Sequence, residues 1–407
     1  MKKLLIILDG IGDLPHPGLG GKTPLQAGNL PHLQLLARNG KTGLQKPAKH
    51  IAPESDVGVC SVLGHNPFLD HVGRGLLEAK GCGMAFSTGD LALRANFATC
   101  APDGKTLLDR RVGRGLDEKD AHALAEEIQK NVTLKNASFA FKATKGHRGV
   151  LVIRANETLD GHITNTDPAY EVIDGLSSAK KTFEMKIAQA KVWKKTRGSE
   201  RAARLVNEFM KKSFDVLQKS PVTAARIKTG NLPANCILLR DPESREKKLK
   251  SLPGAWAVLS EMPMEEGIAT LMDMRIVRLE KKKTEKDQYA QTVEKTSSTL
   301  KESDGVYAHL KSPDVFGHDG DVLGKMHALE AIDAFYIGPL FQTLDLKTTR
   351  VLVTGDHATP CILGAHSADP VPYLLSGAGI APKNHSFDES APGPVLNGWE
   401  LMPQLLR

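Results

Sequence analysis

The chain has 407 residues, 41% hydrophobic and 25% charged, with 37 glycines and a formal net charge of +7. This composition fits two or more globular domains and excludes a disordered or fibrous protein. No run approaches the ~18 apolar residues of a membrane span, and the stretch Leu4 to Leu8 is too short for the ~7–15-residue core of a signal peptide, so a cytoplasmic protein with no membrane association is expected. Cys60, Cys82, Cys100, Cys236 and Cys361 are scattered and show no CxxC spacing, which argues against a disulfide framework or a thiolate zinc site.

In chain order, "LLIIL" before Asp9 reads as a buried strand. "PHLQLLARNG" reads as a helix with Gly40 as its C-cap, and "VGVCSVLG" as a helix for which Ser55 is a natural N-cap. The middle of the chain differs: short strands such as "LALRANFATC" and "GVLVIR" accompany a long basic helix in "KVWKKTRGSERAARLVNEFMKKS". "LEKKKTEKDQYAQTVEKTSSTLKES" is again helical. Two further apolar runs follow, "GVYAHL" shortly before Asp314 and "RVLVTG" before Asp356, with a helical pattern in "GKMHALEAIDAFYIGPLFQTL" between them. Continuous apolar strands alternating with helices indicate an α/β fold whose mostly parallel sheet carries helices on both faces. The first of those strands lies at the N-terminus and the others in the last quarter. Residues 1–69 and 260–407 are therefore expected to form a discontinuous core, with 70–259 as a smaller inserted α+β domain. The lysines of the helices read as solvated faces. Three Trp and five Tyr offer little for base stacking and no recognition module is legible, so no nucleic-acid partner is expected. A local positive field suits a small anionic substrate.

In such a sheet, sites gather beyond the carboxyl ends of the strands. Asp9, Asp314 with His318, Asp356 with His357, and His366 all fall there. Any one of them alone reads as a cap, turn or packing residue. Together they supply carboxylates and imidazoles for two divalent ions of the manganese, zinc or iron type, and a two-metal centre suits in-line phosphoryl displacement. Ser55 in "IAPESDVGVCSVLGHNP" is the candidate nucleophile, provided a base or metal lowers its hydroxyl pKa.

In order along the chain, "LLIILDGIGD", "PESDVGVCSVLGHNPF", "VGRGLLEAKG", "LRANFAT", "DRRVGR", "KGHRGVLVIR", "LPANCILLR", "DVFGHDGD", "TGDHATP" and "HSADPVPYL" resemble the cofactor-independent phosphoglycerate mutases of the archaeal type, within the alkaline phosphatase superfamily. The resemblance implies an alkaline-phosphatase-like core and an inserted domain that binds substrate. It implies one metal held by Asp9, Ser55, Asp356 and His357, and a second held by Asp314, His318 and His366. The metals would usually be manganese, with zinc or magnesium as alternatives. Ser55 would take the phosphoryl group of 3-phosphoglycerate and return it to the 2-hydroxyl, and Arg74, Arg94, Arg110, Arg111, Arg114, His147 and Arg148 would bind the small phosphorylated carboxylate. No oligomeric state is read from the pattern.

The chain departs from the family in three places. The serine motif commonly reads Gly-Ser-Asp-Thr-Ala-His, and here it is Glu54-Ser55-Asp56-Val57-Gly58-Val59. Glu266 stands where relatives have a lysine, and would repel a phosphate if it faced one. "DPESREKKLK" replaces the glycine-rich loop expected after "LLR". These changes leave a homoserine kinase-like phosphotransferase, a phosphatase and a non-enzymatic relative as alternatives.

Overall fold

The structure, a computed structural model, describes residues 1–180 and 182–407. Among them an eight-stranded sheet runs in the order Arg275–Arg278, Trp256–Ser260, Gly305–Leu310, Lys2–Leu8, Thr349–Thr354, Val371–Gly377, Gly40–Lys46, Leu396–Asn397. Its pairings are parallel except the two made by Val371–Gly377. The three apolar runs of the sequence are thus neighbours at the centre. Successive side chains of a strand point to opposite faces, and here both faces are covered. Leu5, Ile7, Tyr307 and Leu352 share one core with Leu76, Leu77 and Ile268, while Leu4, Ile6, Val306 and Val353 share another with Leu33, Leu36 and Leu329. Burial on both faces is why these runs are continuously apolar.

A second, antiparallel sheet has Leu91–Cys100 at its centre, paired with Arg148–Ala155, Cys236–Glu243 and Leu107–Asp109, and Ala137–Ala143 on the outer side of Arg148–Ala155. Helices Glu118–Asn131 and Arg197–Leu217 cover one face through Leu124, Ile128, Leu205 and Phe209. On the other face, Ala92, Val150 and Val152 join the core that contains Leu76 and Leu77.

Several local expectations shift. Helix Arg74–Gly81 packs against helix Pro263–Leu271, and Trp256–Ser260 is a strand of the large sheet, so residues just inside both ends of the expected 70–259 insertion pack with the larger core. The reason is apolar: Leu76, Leu77 and Trp256 are buried there. Helix Pro31–Arg38 ends at Asn39, and Gly40 opens a strand instead of capping the helix. Glu54, not Ser55, is the N-cap of helix Ser55–Val62, which leaves the serine hydroxyl free of capping duty. The helical pattern over 324–344 is broken by a π-helical turn, Asp333–Ile337, whose Asp333 carboxylate accepts from the backbone N–H groups of His32 and Leu33.

Candidate active site

The three central strands deliver their ligands to one spot. Asp9 follows Leu8, which pairs with Leu310; Asp314 lies in the first turn of helix Ser312–Asp319; Asp356 and His357 follow Thr354. Gly10 adopts φ +62°, and a Cβ there would lie 2.8 Å from Asp314 Oδ1 and 2.6 Å from Thr359 Oγ1, so only glycine lets the loops meet. Its N–H donates to Asp356 Oδ1 at 3.1 Å. Gly58 acts by closeness alone: a Cβ would lie 2.0 Å from the Asp356 carbonyl oxygen, so helix Ser55–Val62 presses directly on the ligand loop. Lys325 is fully buried and donates to Asp13 Oδ2 at 2.8 Å and to the carbonyls of Gly12 and Thr359, tying the loop after Asp9 to the loop after His357.

Ser55 Oγ lies 3.3 Å from His357 Nε2, which is 3.3 Å from Asp9 Oδ1 and 3.4 Å from Asp356 Oδ2. Thr359 donates its hydroxyl to Asp314 Oδ1 at 2.7 Å, so it accepts from His357 Nδ1 at 3.0 Å; this assigns the proton to Nδ1. His357 Nε2 therefore faces Ser55 and the two carboxylates. Asp9 Oδ1 and Asp356 Oδ2 are buried with no hydrogen-bond partner. Burial alone would lower the His357 pKa, yet Asp356 and Asp9 push it up to about 9. The centre of the site requires positive charge, as protons or as a cation.

The same holds beside it. His318 Nδ1 donates to the Gly364 carbonyl at 3.2 Å and His366 Nδ1 to the Pro53 carbonyl at 2.8 Å. Their Nε2 atoms then face each other across 3.2 Å, each 3.6 Å from an Asp314 oxygen. Two imidazole nitrogens converging beside a carboxylate form a group that could hold a metal ion, oriented by their carbonyl partners. The donor set as a whole fits divalent cations. Its ligand atoms also cluster as Asp9, Asp314 and His357, which places the two groups side by side.

Above this floor is a cavity of about 380 Å³ lined by the second sheet. Period-two alternation puts Arg94 and Asn96 on one face, and the register sets Arg148 opposite Asn96 and Arg240 opposite Arg94. Arg74, Arg111, Arg114 and His147 also reach the cavity. Arg74 is engaged by Glu78 at 2.9 Å. Arg94 Nε and Nη1 are buried without hydrogen-bond partners, and burial, then Arg74 and Arg240, lower the Arg94 pKa to about 9. Burial and the neighbouring arginines lower His147 to about 3, so its imidazole is neutral. Arg110 is absent from the cavity: it donates twice to Asp167 at 2.8 Å and stacks on Tyr170 and Phe183.

Sequence reasoning missed four contributors. Arg240 lines the cavity, and the apolar strand before it gave no functional signal. His309 lies beneath the floor, its Nε2 3.5 Å from both Asp9 Oδ2 and Asp356 Oδ2. Glu265 pairs with His309 and Lys311, and Lys311 Nζ is 3.2 Å from Asp9 Oδ2. The expectation for Glu266 is overturned by its direction: it points outward and takes two hydrogen bonds from Arg278, at 2.9 and 2.6 Å, while its neighbour Glu265 turns inward.

Residues 37–223 match the family model described as 2,3-bisphosphoglycerate-independent phosphoglycerate mutase. A protein of that name from Aeropyrum pernix is 37% identical over 423 residues, covering 100% of this chain and 99% of its own. One from Thermococcus kodakarensis is 35% identical over 95% of this chain and 91% of its own. Among solved structures, the cofactor-independent phosphoglycerate mutase from Thermoplasma acidophilum is similar with a TM-score of 0.62 and 28% identity, over 100% of this chain and 99% of that one. At this identity and over the full length, the chain belongs to the 2,3-bisphosphoglycerate-independent phosphoglycerate mutases.

Proposed function

We propose that the chain interconverts 3-phosphoglycerate and 2-phosphoglycerate through a phosphoserine at Ser55, with two manganese ions at the seven-residue ligand set. The observation that carries this reading is the position of Ser55 Oγ, 3.3 Å from His357 Nε2, at the boundary between the carboxylate and imidazole cluster and the arginine-lined cavity. Bound divalent cations would supply the positive charge that acidifies the Ser55 hydroxyl and offsets the charge of the transferring phosphoryl group.

The chain's own residues do the rest. Ser55 is the first residue of its helix, where the helix N-terminus favours a developing alkoxide. Attack of Oγ on phosphorus breaks the bond to the glycerate 3-oxygen, and that oxygen takes up the proton the serine gives off. After the glycerate turns, its 2-hydroxyl attacks the phosphoserine and Ser55 recovers a proton. Arg94 and Arg148 are suited to grip phosphate and carboxylate in forked pairs throughout. The second sheet shields the site, so that water does not intercept the phosphoserine.

The test is conversion of 3-phosphoglycerate by the manganese-loaded protein, with Ser55→Ala and chelator-treated protein alongside. The wild type should form 2-phosphoglycerate, and both controls should not. Free phosphate in place of 2-phosphoglycerate would replace the mutase reading with a phosphatase.

A further inference from the structure

Glu54, beside Ser55, and Asp241, after "LLR", are distant in sequence and meet at one guanidinium. Arg240 Nη1 lies 3.2 Å from Glu54 Oε2, and Arg240 Nε lies 3.6 Å from Asp241 Oδ2. The Tyr170 ring stacks on the same guanidinium at 3.7 Å. All three charged side chains are buried. Asp241 sits at φ +55°, a conformation uncommon for a residue with a Cβ. Glu54 also reaches Arg74 Nη1 at 3.6 Å. Arg94, directly opposite Arg240 in the sheet, meets one carboxylate, Glu78, at 3.4 Å, and shares that oxygen with Arg74, which donates to it at 2.9 Å. Arg148 Nη1 meets the Met262 sulfur at 3.6 Å. The guanidinium groups of the cavity wall are therefore unequally neutralised: Arg240 is met by two carboxylates, Arg94 shares Glu78 with Arg74, and Arg148 has no carboxylate within 4 Å among the described residues.

We propose that Glu54 and Asp241 are specificity-determining residues: by neutralising Arg240 they lower the affinity of the cavity for anions and leave Arg148, with the less fully paired Arg94, to hold the substrate. The assignment rests on the reading of this cavity as the phosphorylated-carboxylate site. Two carboxylates on one cation in a poorly solvated wall leave it little attraction for a third anion.

The experiment is calorimetric binding of inorganic phosphate to the manganese-loaded protein, comparing wild type with Glu54→Gln, Asp241→Asn and the double variant, together with KM and kcat for 3-phosphoglycerate. Each single substitution should tighten phosphate binding at least about fivefold, and the double variant more, with less than the product of the two because both act on Arg240. KM should fall in parallel. Adding Arg240→Met to the double variant should abolish the gain. Unchanged phosphate affinity, or a gain that survives Arg240→Met, would overturn the assignment. If Glu54→Gln does not fold, Glu54→Gly takes its place, and failure of both would make the carboxylate part of the scaffold and reject the proposal. Phosphate affinity is read without turnover, so the two readings fail separately. A wild type that does not isomerise 3-phosphoglycerate while its affinity responds to Glu54→Gln removes the mutase reading alone; turnover with an unresponsive affinity removes this one alone.

Discussion

The floor and the wall of the cavity are built on opposite principles. On the floor, carboxylates and imidazoles converge on one another: Asp9 Oδ1 and Asp356 Oδ2 have no hydrogen-bond partner and face His357 Nε2, and the Nε2 atoms of His318 and His366 lie 3.2 Å apart. A donor set of this kind suits a divalent cation, and its geometry is matched to that charge. On the wall, opposite charges are already paired within the protein: Arg74 and Arg94 with Glu78, and Arg240 with Glu54. Its geometry is defined by internal partners, and the chemistry left for a ligand is the remainder. Substitutions on the floor should therefore remove the reaction, whereas those on the wall should change affinity or stability.

The largest effect is expected at Asp356. Replacing it with Asn removes a ligand charge and should lower kcat by on the order of a thousandfold, with a matching loss of manganese binding by calorimetry. A variant that retains turnover would place the essential charge elsewhere. Gly58→Ala comes next. Its methyl group would lie 2.0 Å from the Asp356 carbonyl oxygen, so helix Ser55–Val62 must move away from the ligands. Overpacking of this kind destabilises by about 1–3 kcal/mol, and displacement of the nucleophile should reduce kcat by roughly a hundredfold. Normal activity would show that Ser55 tolerates a displaced helix.

On the wall, Arg148→Ala should raise KM for 3-phosphoglycerate by roughly 10–100-fold, the equivalent of one charge-assisted hydrogen-bonded contact, with a smaller change in kcat. Arg110→Ala should separate the two principles most clearly. Its guanidinium is held by Asp167 outside the cavity, and Asp167 would be left buried and unpaired. Thermal or denaturant unfolding should show a loss of about 3 kcal/mol, with kcat/KM of the folded protein within about threefold of wild type. A rise in KM like that of Arg148→Ala would return Arg110 to the substrate.

The floor was legible because its ligands are carried on motifs that tie residue type to strand ends. A continuous apolar run followed by Asp, or by Asp-His, already says where the side chain emerges. The wall was less legible because it is set by register. Arg240 acts through its position opposite Arg94, and the side on which a strand residue emerges reverses with a slip of one residue. The expected edges of the inserted domain misplaced Trp256 and helix Arg74–Gly81 for a related reason: apolar residues declare burial but not the core that receives them. His309 and Lys311 escaped notice because a histidine and a lysine at the end of a strand look like packing or solvated residues until Asp9 and Glu265 are placed beside them.

Glu266 gives the smallest expected effect and the sharpest contrast with its neighbour. A carboxylate in the position where relatives carry lysine suggests a repelled phosphate, but the helix turns that side chain outward to the exposed guanidinium of Arg278, whose side chain is 71% exposed. An ion pair with so exposed a partner contributes only about 0–1 kcal/mol. Glu266→Lys should therefore leave kcat/KM within about twofold and shift stability by less than about 1 kcal/mol, the new ammonium losing the pair and facing Arg278. Glu265→Gln should behave differently, because that carboxylate is buried and holds both His309 and Lys311 under Asp9. Leaving those two cations without their acid should weaken manganese binding by roughly 10–100-fold, as loss of a group that orients metal ligands does. Equal effects of the two substitutions on manganese affinity would mean that the direction of the side chains does not separate them, and that the charge of the helix as a whole acts on the site.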